Sequence, residues 1–355
     1  MSDHIWRPSL TAAAIGLALC FGDPAAFAQS VYQATDLSFP GNFGTSATAI
    51  SAGQAAGYEI YSIYYLRHAP HYQLHAIYWP AGGSPIDLTP SGSPYSEATG
   101  VSGTQQSGYA SIFVSGYYHS HALVWQGSPN NATDLSMPGY ADTYADGISG
   151  TQVVGQGTGT ATGGYTHAVL WDLAHGTIVD LNGTNHQESG AVAVSGSTQV
   201  GWANDATGAN QHAMLWQGTA ASAVDLNPSS AVTSQAYGVN GSQQVGITMT
   251  ASSAHAILWS GTAASAVDLN PAGFIYSYAT GIGGGKQVGY GTKSNYKCHA
   301  LVWSGSAQQY VDLHNFLPST FAQSYANGVD AGGNIVGYAT DTSGVNHAIL
   351  WQPVH

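Results

Sequence analysis

Positive charge is nearly missing from this chain. Five Lys and Arg stand against 18 Asp and Glu in 355 residues, a net charge of −13. Binding to nucleic acid or an anionic membrane surface needs many cations that displace counterions from phosphates. The charge balance therefore opposes both partners. Arg7 and Arg67 are the only arginines, and Lys286, Lys293 and Lys297 read as a small solvated cluster. Cysteine is almost as rare. Cys20 lies in the N-terminal segment, which leaves Cys298 without an intramolecular partner, as a buried, inert thiol. Stability must come from packing and not from disulfide staples. Long apolar runs are missing too. Leu10 to Phe21 falls short of the roughly 20 residues a span needs, so no membrane span is expected. Apart from that segment, no stretch repeats apolar residues at helical spacing.

The first 28 residues have the parts of a secretory signal peptide: Arg7, the short apolar run, and Ala26-Phe27-Ala28 as a small-residue cleavage site. Cleavage near Ala28 would deliver residues 29–355 to the periplasm or the medium as a secreted protein.

What the chain has in abundance is repetition. A unit His-Ala-x-x-Trp begins at His75, His121, His167, His212, His255, His299 and His347, at steps of 46, 46, 45, 43, 44 and 48. Its tryptophans are Trp79, Trp125, Trp171, Trp216, Trp259, Trp303 and Trp351. Upstream runs Ser-x-Ala-x-Gly-Val-x-Gly-x-Gln-x-Val-Gly, as in Ser234 to Gly246, and downstream Val-Asp-Leu, as in Val224-Asp225-Leu226. Each unit of about 45 residues thus holds four short β-like runs separated by turn residues, the signature of a propeller blade.

Counting at the ends distinguishes a ring from an open solenoid. The last unit stops at Trp351-Gln-Pro-Val-His355 without its Asp-Leu strand, while Thr35-Asp36-Leu37 has no His-Ala-x-x-Trp before it. Seven complete units exist only if the N-terminal strand completes the C-terminal blade. An open stack would leave raw strand edges at both ends. The expectation is an all-β fold, a single seven-bladed β-propeller domain over 29–355, with four-stranded blades.

These elements resemble the HAF repeats of bacterial extracellular proteins, named for a His-Ala-Phe tripeptide. Here Ile, Leu, Val or Met stands where the Phe would. The resemblance covers nearly all of 29–355 and implies an extracellular repeat protein. It brings no activity and no catalytic residues with it.

A residue that recurs in every blade is structural before it is catalytic. The seven tryptophans are expected to wedge between neighbouring blades, each with a gross burial of about 4–6 kcal/mol. The seven histidines are expected to be buried, neutral and hydrogen-bonded to backbone or turn groups, with stability that falls on acidification. The seven aspartates of the Asp-Leu step are expected to cap the following turn. No Asp-x-Asp-x-Asp-Gly loop occurs, and one His per blade does not assemble a zinc site. No metal, no cofactor and no catalytic residue is assigned.

Function is sought where a blade departs from its siblings. The first blade takes 18 steps from Gly57 to His75, against nine to 13 in the others. That loop carries Tyr61, Tyr64, Tyr65, Arg67, His68 and Tyr72, and the second blade continues with Tyr117 and Tyr118. Clustered tyrosines suit stacking on sugar rings or docking of a protein. The plainer alternative is a longer hairpin that covers the outer blade surface. The residue after each Val-Gly (Tyr58, Tyr109, Gln156, Trp202, Ile247, Tyr290 and Tyr338) is read as interblade packing, with a repeated glycan platform as the sharper alternative. Glu59, Glu97 and Glu188 are the only glutamates, and nothing in the sequence brings two of them together. The reading that results is a secreted, non-enzymatic binding or scaffold propeller for carbohydrate or a surface protein. Its alternative is a hydrolase or lyase with a site at the propeller mouth, where Glu59, Arg67 and His68 form the nearest cluster.

Overall fold

The computed structural model describes residues 31–354, apart from 40, 42, 64–70, 185 and 206. It consists of seven four-stranded antiparallel sheets. The first blade is Gly44–Ser51, Gln54–Ile63, His71–Trp79 and Ile86–Asp87, innermost strand first. Five more blades follow in the same order. The seventh takes Phe321–Val329, Ile335–Asp341 and Asn346–Val354 from the C-terminus, and its fourth strand, Val31–Asp36, from the N-terminus. That strand pairs antiparallel with the last one from Val31 opposite Val354 to Asp36 opposite Ile349. The seven-bladed ring closed by its N-terminal strand is therefore present, as the end count requires.

Seven apolar clusters hold the ring together, and each spans two neighbouring blades. Trp125 of the second blade packs with Ala56, Ala76 and Leu88 of the first, and Trp216 of the fourth with Leu170 and Leu181 of the third. Trp79 closes the circuit by meeting Val336 and Ala348 of the seventh blade. The repeat tryptophans are thus interblade wedges, all buried. The alanine of each His-Ala-x-x-Trp is completely covered, because the next blade lies directly on it.

Two backbone features recur. Each inner strand carries a β-bulge at the residue between Ala and the following small residue, for instance between Ala145 and Gly147. Opposite that bulge stands the glycine of Val-Gly. A Cβ on Gly246 would lie 1.9 Å from the Gln235 carbonyl oxygen, so no larger residue fits there. Tight two-residue turns join the first and second strands, with Ala52 and Gly53 both at positive φ in the first blade.

Every repeat histidine donates a hydrogen bond from Nδ1 to the Asp-Leu aspartate of its own blade. The distances run from 2.7 Å for His121–Asp134 to 2.9 Å for His75–Asp87. The other carboxylate oxygen accepts the backbone N–H two residues on, as Asp225 Oδ1 does from Asn227 at 2.7 Å. Turn capping by the aspartates is present. The histidines differ from expectation: their partner is a carboxylate, and their side chains remain 14–30% exposed. Burial pushes the Asp87, Asp134 and Asp312 carboxyls up, but the hydrogen bonds they accept outweigh it, and all three titrate below their ordinary 3.8.

Candidate functional site

In a ring of antiparallel blades, the hairpins between second and third strands share one face with the connections between blades. The two longest of these hairpins belong to the first and second blades. Gln105–Val114 and Tyr117–Trp125 extend nine paired positions, from Gln106 opposite Trp125 to Val114 opposite Tyr117. Tyr95 joins the two blades. It bridges to Leu74 of the first blade, and its carbonyl accepts from Ser111 N–H of the second at 2.8 Å.

On this face aromatic side chains stand in the open. Tyr117 is 74% exposed, Phe113 62%, Tyr72 61% and Tyr118 55%. Phe113 and Tyr118 meet edge to face at 5.2 Å, and Phe43 and Tyr72 at 5.8 Å, so the rings hold one another upright. Two of the sequence candidates, Tyr117 and Tyr118, thus stand exposed at one hairpin tip on opposite sides of their strand, and Tyr72 lies on the neighbouring hairpin. Tyr61 does not join them. It is half-buried, its hydroxyl donates to Glu59 Oε2 at 2.7 Å, and its ring leans on His75. Tyr64, Tyr65, Arg67 and His68 lie outside the described residues. Nothing in the sequence singles out Phe43 or Phe113, although Phe113 sits three residues before the turn glycine Gly116.

Further in, toward the axis, a belt of half-buried tyrosines runs along the inner strands. Tyr109 contacts Tyr144 of the next blade at 4.9 Å, Tyr290 contacts Tyr325 at 4.9 Å, and Tyr325 stacks on Tyr338 at 4.6 Å. Of the aromatic residues after Val-Gly, Tyr109 and Tyr290 therefore pack across a blade seam, while Tyr338 stacks within its own blade. At the fourth blade Gly190 leaves room for Trp202, whose indole nitrogen lies 2.7 Å from where a Cβ would be.

Two carboxyls sit within this belt. Glu97 Oε2 accepts from the Tyr109 hydroxyl at 2.8 Å. Burial pushes the Glu97 carboxyl up despite that bond, and burial with the nearby Glu97 charge pushes Asp146 up to about 8. The tyrosine beside Glu97 responds in kind: burial and the Glu97 charge raise the Tyr109 hydroxyl. Across the ring, burial with Tyr278 nearby carries Tyr237 to about 12. Glu97 therefore pairs with an aspartate of the third blade, not with another glutamate. Glu59 is elsewhere, fully covered between the first and seventh blades, with Oε1 lacking a partner. Thr45, directly opposite it in register, is also unpartnered at Oγ1. Equivalent residues such as Ser234 and Ser277 accept the N–H of Ala213 and Ala256 across their seams. At the closing seam Ser38 takes that bond from Ala348 instead.

The sixth blade departs differently. Asp312 accepts from Lys293 at 3.0 Å and bonds His299, while His314 stacks on His299 at 4.2 Å. Burial, with His299 nearby, lowers His314 to about 4. Lys293 is thereby an ion-pair partner and not only part of a solvated cluster. Cys298 is half-buried, 3.4 Å from Thr292 Oγ1. Among the described residues no group of three or more His, Cys, Asp or Glu could hold a metal ion, and no helix is long and apolar enough to cross a membrane.

Comparison with protein-family models yields no match, and comparison with curated protein sequences yields none either. Solved structures do match. The β-propeller domain of the Trilobed protease from Pyrococcus furiosus superposes with a TM-score of 0.61 at 8% identity, over 87% of this chain and 95% of that domain. Pyrococcus horikoshii acylaminoacyl peptidase gives 0.53 at 10% identity, over 88% of this chain and 52% of that one. A puromycin-hydrolyzing peptidase of Mycobacterium tuberculosis gives 0.51 at 10% identity, over 84% and 58%. The chain spans little more than half the length of those two peptidases. The Pyrococcus furiosus domain has an open velcro topology, whereas here the N-terminal strand closes the last blade. At such identities the likeness shows the fold alone: this chain is a seven-bladed β-propeller.

Proposed function

We propose that this protein is a non-enzymatic binding propeller, exported by its N-terminal segment, that recognises a carbohydrate or surface-protein ligand through the aromatic face of its first two blades. The observation that carries the reading is the set of four aromatic side chains, Tyr72, Phe113, Tyr117 and Tyr118, each more than half exposed on adjoining hairpins. Rings left in water at such density mark a contact surface. Tyrosine combines a flat apolar face with a hydroxyl, which suits sugar rings and protein interfaces alike. The resemblance to HAF repeats and the secretory character of residues 1–28 support an extracellular setting.

Glycan-array binding of the wild type and of Tyr117→Ala with Tyr118→Ala tests the proposal. The double variant should lose on the order of tenfold or more in affinity, as truncation of central aromatic contacts does. Its melting temperature should hardly move. If no glycan binds, the same pair of proteins is compared against surface proteins of the source cell. Retention of full binding by the variant in both formats contradicts the reading.

The alternative, a hydrolase or lyase at the mouth, draws on Glu97 and Asp146, two carboxyls that hold protons more tightly than usual. It requires specific turnover of a polysaccharide that Glu97→Gln abolishes. The binding reading requires none.

A further inference from the structure

A cavity of about 480 Å³ occupies the axis of the ring, walled by the middle of all seven inner strands. No Lys, Arg or His is among its walls, so an anion finds no positive charge there. Its one carboxyl is Asp146, which holds the bulge position of the third blade. At the same position stand Thr48, Thr99, Thr280 and Asn327, and each donates across its seam to the carbonyl of an alanine in the next blade. Thr99 reaches Ala145 O at 2.6 Å, and Asn327 reaches Ala47 O at 2.8 Å. A carboxylate has no proton to give, and among the described residues Asp146 makes no hydrogen bond. It is partly exposed, and its side chain is part of the channel wall. Four siblings at this position hold the ring together; Asp146 aims an unpartnered acid into a cavity.

We propose that the channel binds an organic ammonium cation, with its charge at the Asp146 carboxylate and its hydrocarbon body against Val192, Tyr237, Tyr278 and Tyr290. All four line the cavity with Asp146. Tyrosine rings present broad apolar faces on which a hydrocarbon body packs. The volume falls in the range of small-molecule sites, roughly 300–1,000 Å³.

The ionisable groups on elements packed around Asp146 are few. The second blade brings Glu97, Tyr109, Tyr117, Tyr118, His119 and His121. Of these, His121 is engaged by Asp134 at 2.7 Å, and His119 lies 3.7 Å from Asp142. The neighbouring strands Gln152–Thr158 and Ser189–Ser195 bring none. Burial, with the Glu97 charge nearby, keeps the Asp146 carboxyl protonated at neutral pH. Binding balances as follows: the ammonium enters intact, the carboxyl releases one proton to solvent, and a neutral site becomes an ion pair. Affinity should then rise about tenfold per pH unit up to about 8 and level off above it.

Titration calorimetry of the exported chain with n-butylammonium, n-butanol and butyrate tests this. Butylammonium should saturate one site with release of about one proton at pH 7, read from buffers of different ionisation enthalpy, and bind at least tenfold more tightly than butanol; butyrate should not bind. Asp146→Asn and Asp146→Thr, each a residue the ring already holds at this position, should fold as wild type and lose that preference. The amide of Nα-acetyl-lysine, run beside butylammonium, tells a peptide side chain from a free amine as the source. The proposal is independent of the aromatic face, so Tyr117→Ala should leave butylammonium affinity unchanged. Equal binding of butylammonium and butanol, no saturable binding of butylammonium, or unchanged affinity in both Asp146 variants overturns it.

Discussion

His347 Nδ1 lies 2.9 Å from Asp36 Oδ2, although 311 residues separate them. The same pair forms within every other blade at a separation of 12 or 13, as in His75–Asp87 and His212–Asp225. The closing blade therefore reproduces the local bond of its six siblings with partners from opposite ends of the chain. Loss of this strand would expose the edge of Asn346–Val354 and the apolar cluster that includes Tyr32. A chain lacking residues 31–38 should unfold at a markedly lower temperature and aggregate through that edge. Differential scanning calorimetry with light scattering checks both.

The interblade tryptophans should be equivalent in kind. Trp259→Ala opens the seam between the fourth and fifth blades, where the indole packs with Leu215 and Leu226. The expected cost is about 3–5 kcal/mol. Trp202, half-buried in the belt, should cost clearly less on the same substitution. Urea unfolding of the two variants ranks them.

Gly246→Ala should be nearly as harmful as a cavity, because its methyl carbon would sit against the Gln235 carbonyl. Overpacking against backbone costs on the order of 3 kcal/mol. Glycine at the Gly116 turn, where a Cβ meets nothing within 4 Å but φ is +98°, should be replaced by Asn with much smaller loss. The same unfolding experiment separates steric from conformational need.

Acid should destabilise the ring in two legs. His314, lowered by burial to about 4 from its ordinary 6.5, takes up its proton less readily folded than unfolded. Its contribution is whole above 6.5 and is lost as pH falls to about 4. Asp87, Asp134 and Asp312, lowered in the fold, contribute above 3.8 and lose it as pH falls further, through their folded values. His314→Gln should flatten the upper leg and leave the lower one. Melting temperatures from pH 7 to 3 decide this.

Asp146 acts with opposite sign. A carboxyl raised to about 8 costs stability that grows as pH climbs from 3.8 and is complete above 8. Asp146→Asn should thus melt higher than wild type at pH 9 and equal it at pH 4.

The ring was legible in the sequence because seven copies of one pattern leave little freedom: the period gave the blades, and the half-units at the ends gave the closure. The His–Asp bond is legible as well, since a spacing of 12 or 13 links the two motifs in six of the seven blades. Asp146 was hidden in the variable slot of Ala-x-Gly. Only when the bulge shows that this slot faces the channel do Thr48, Thr99, Asp146, Val192, Tyr237, Thr280 and Asn327 become comparable. The aromatic face was half legible. Tyrosine clustering pointed to the two long hairpins, but the strand alternation that turns Tyr61 inward to Glu59 depends on register, which composition does not carry.

Ring closure underlies the channel and the shared face alike, and one cross-link tests it. Gln33 and Gln352 are register partners in the closing pair. With Cys298→Ser in place, Gln33→Cys and Gln352→Cys should form an intramolecular disulfide under mild oxidation and raise the melting temperature of the monomer. A chain in which those two thiols stay free, or link only between molecules, would contradict the closed propeller.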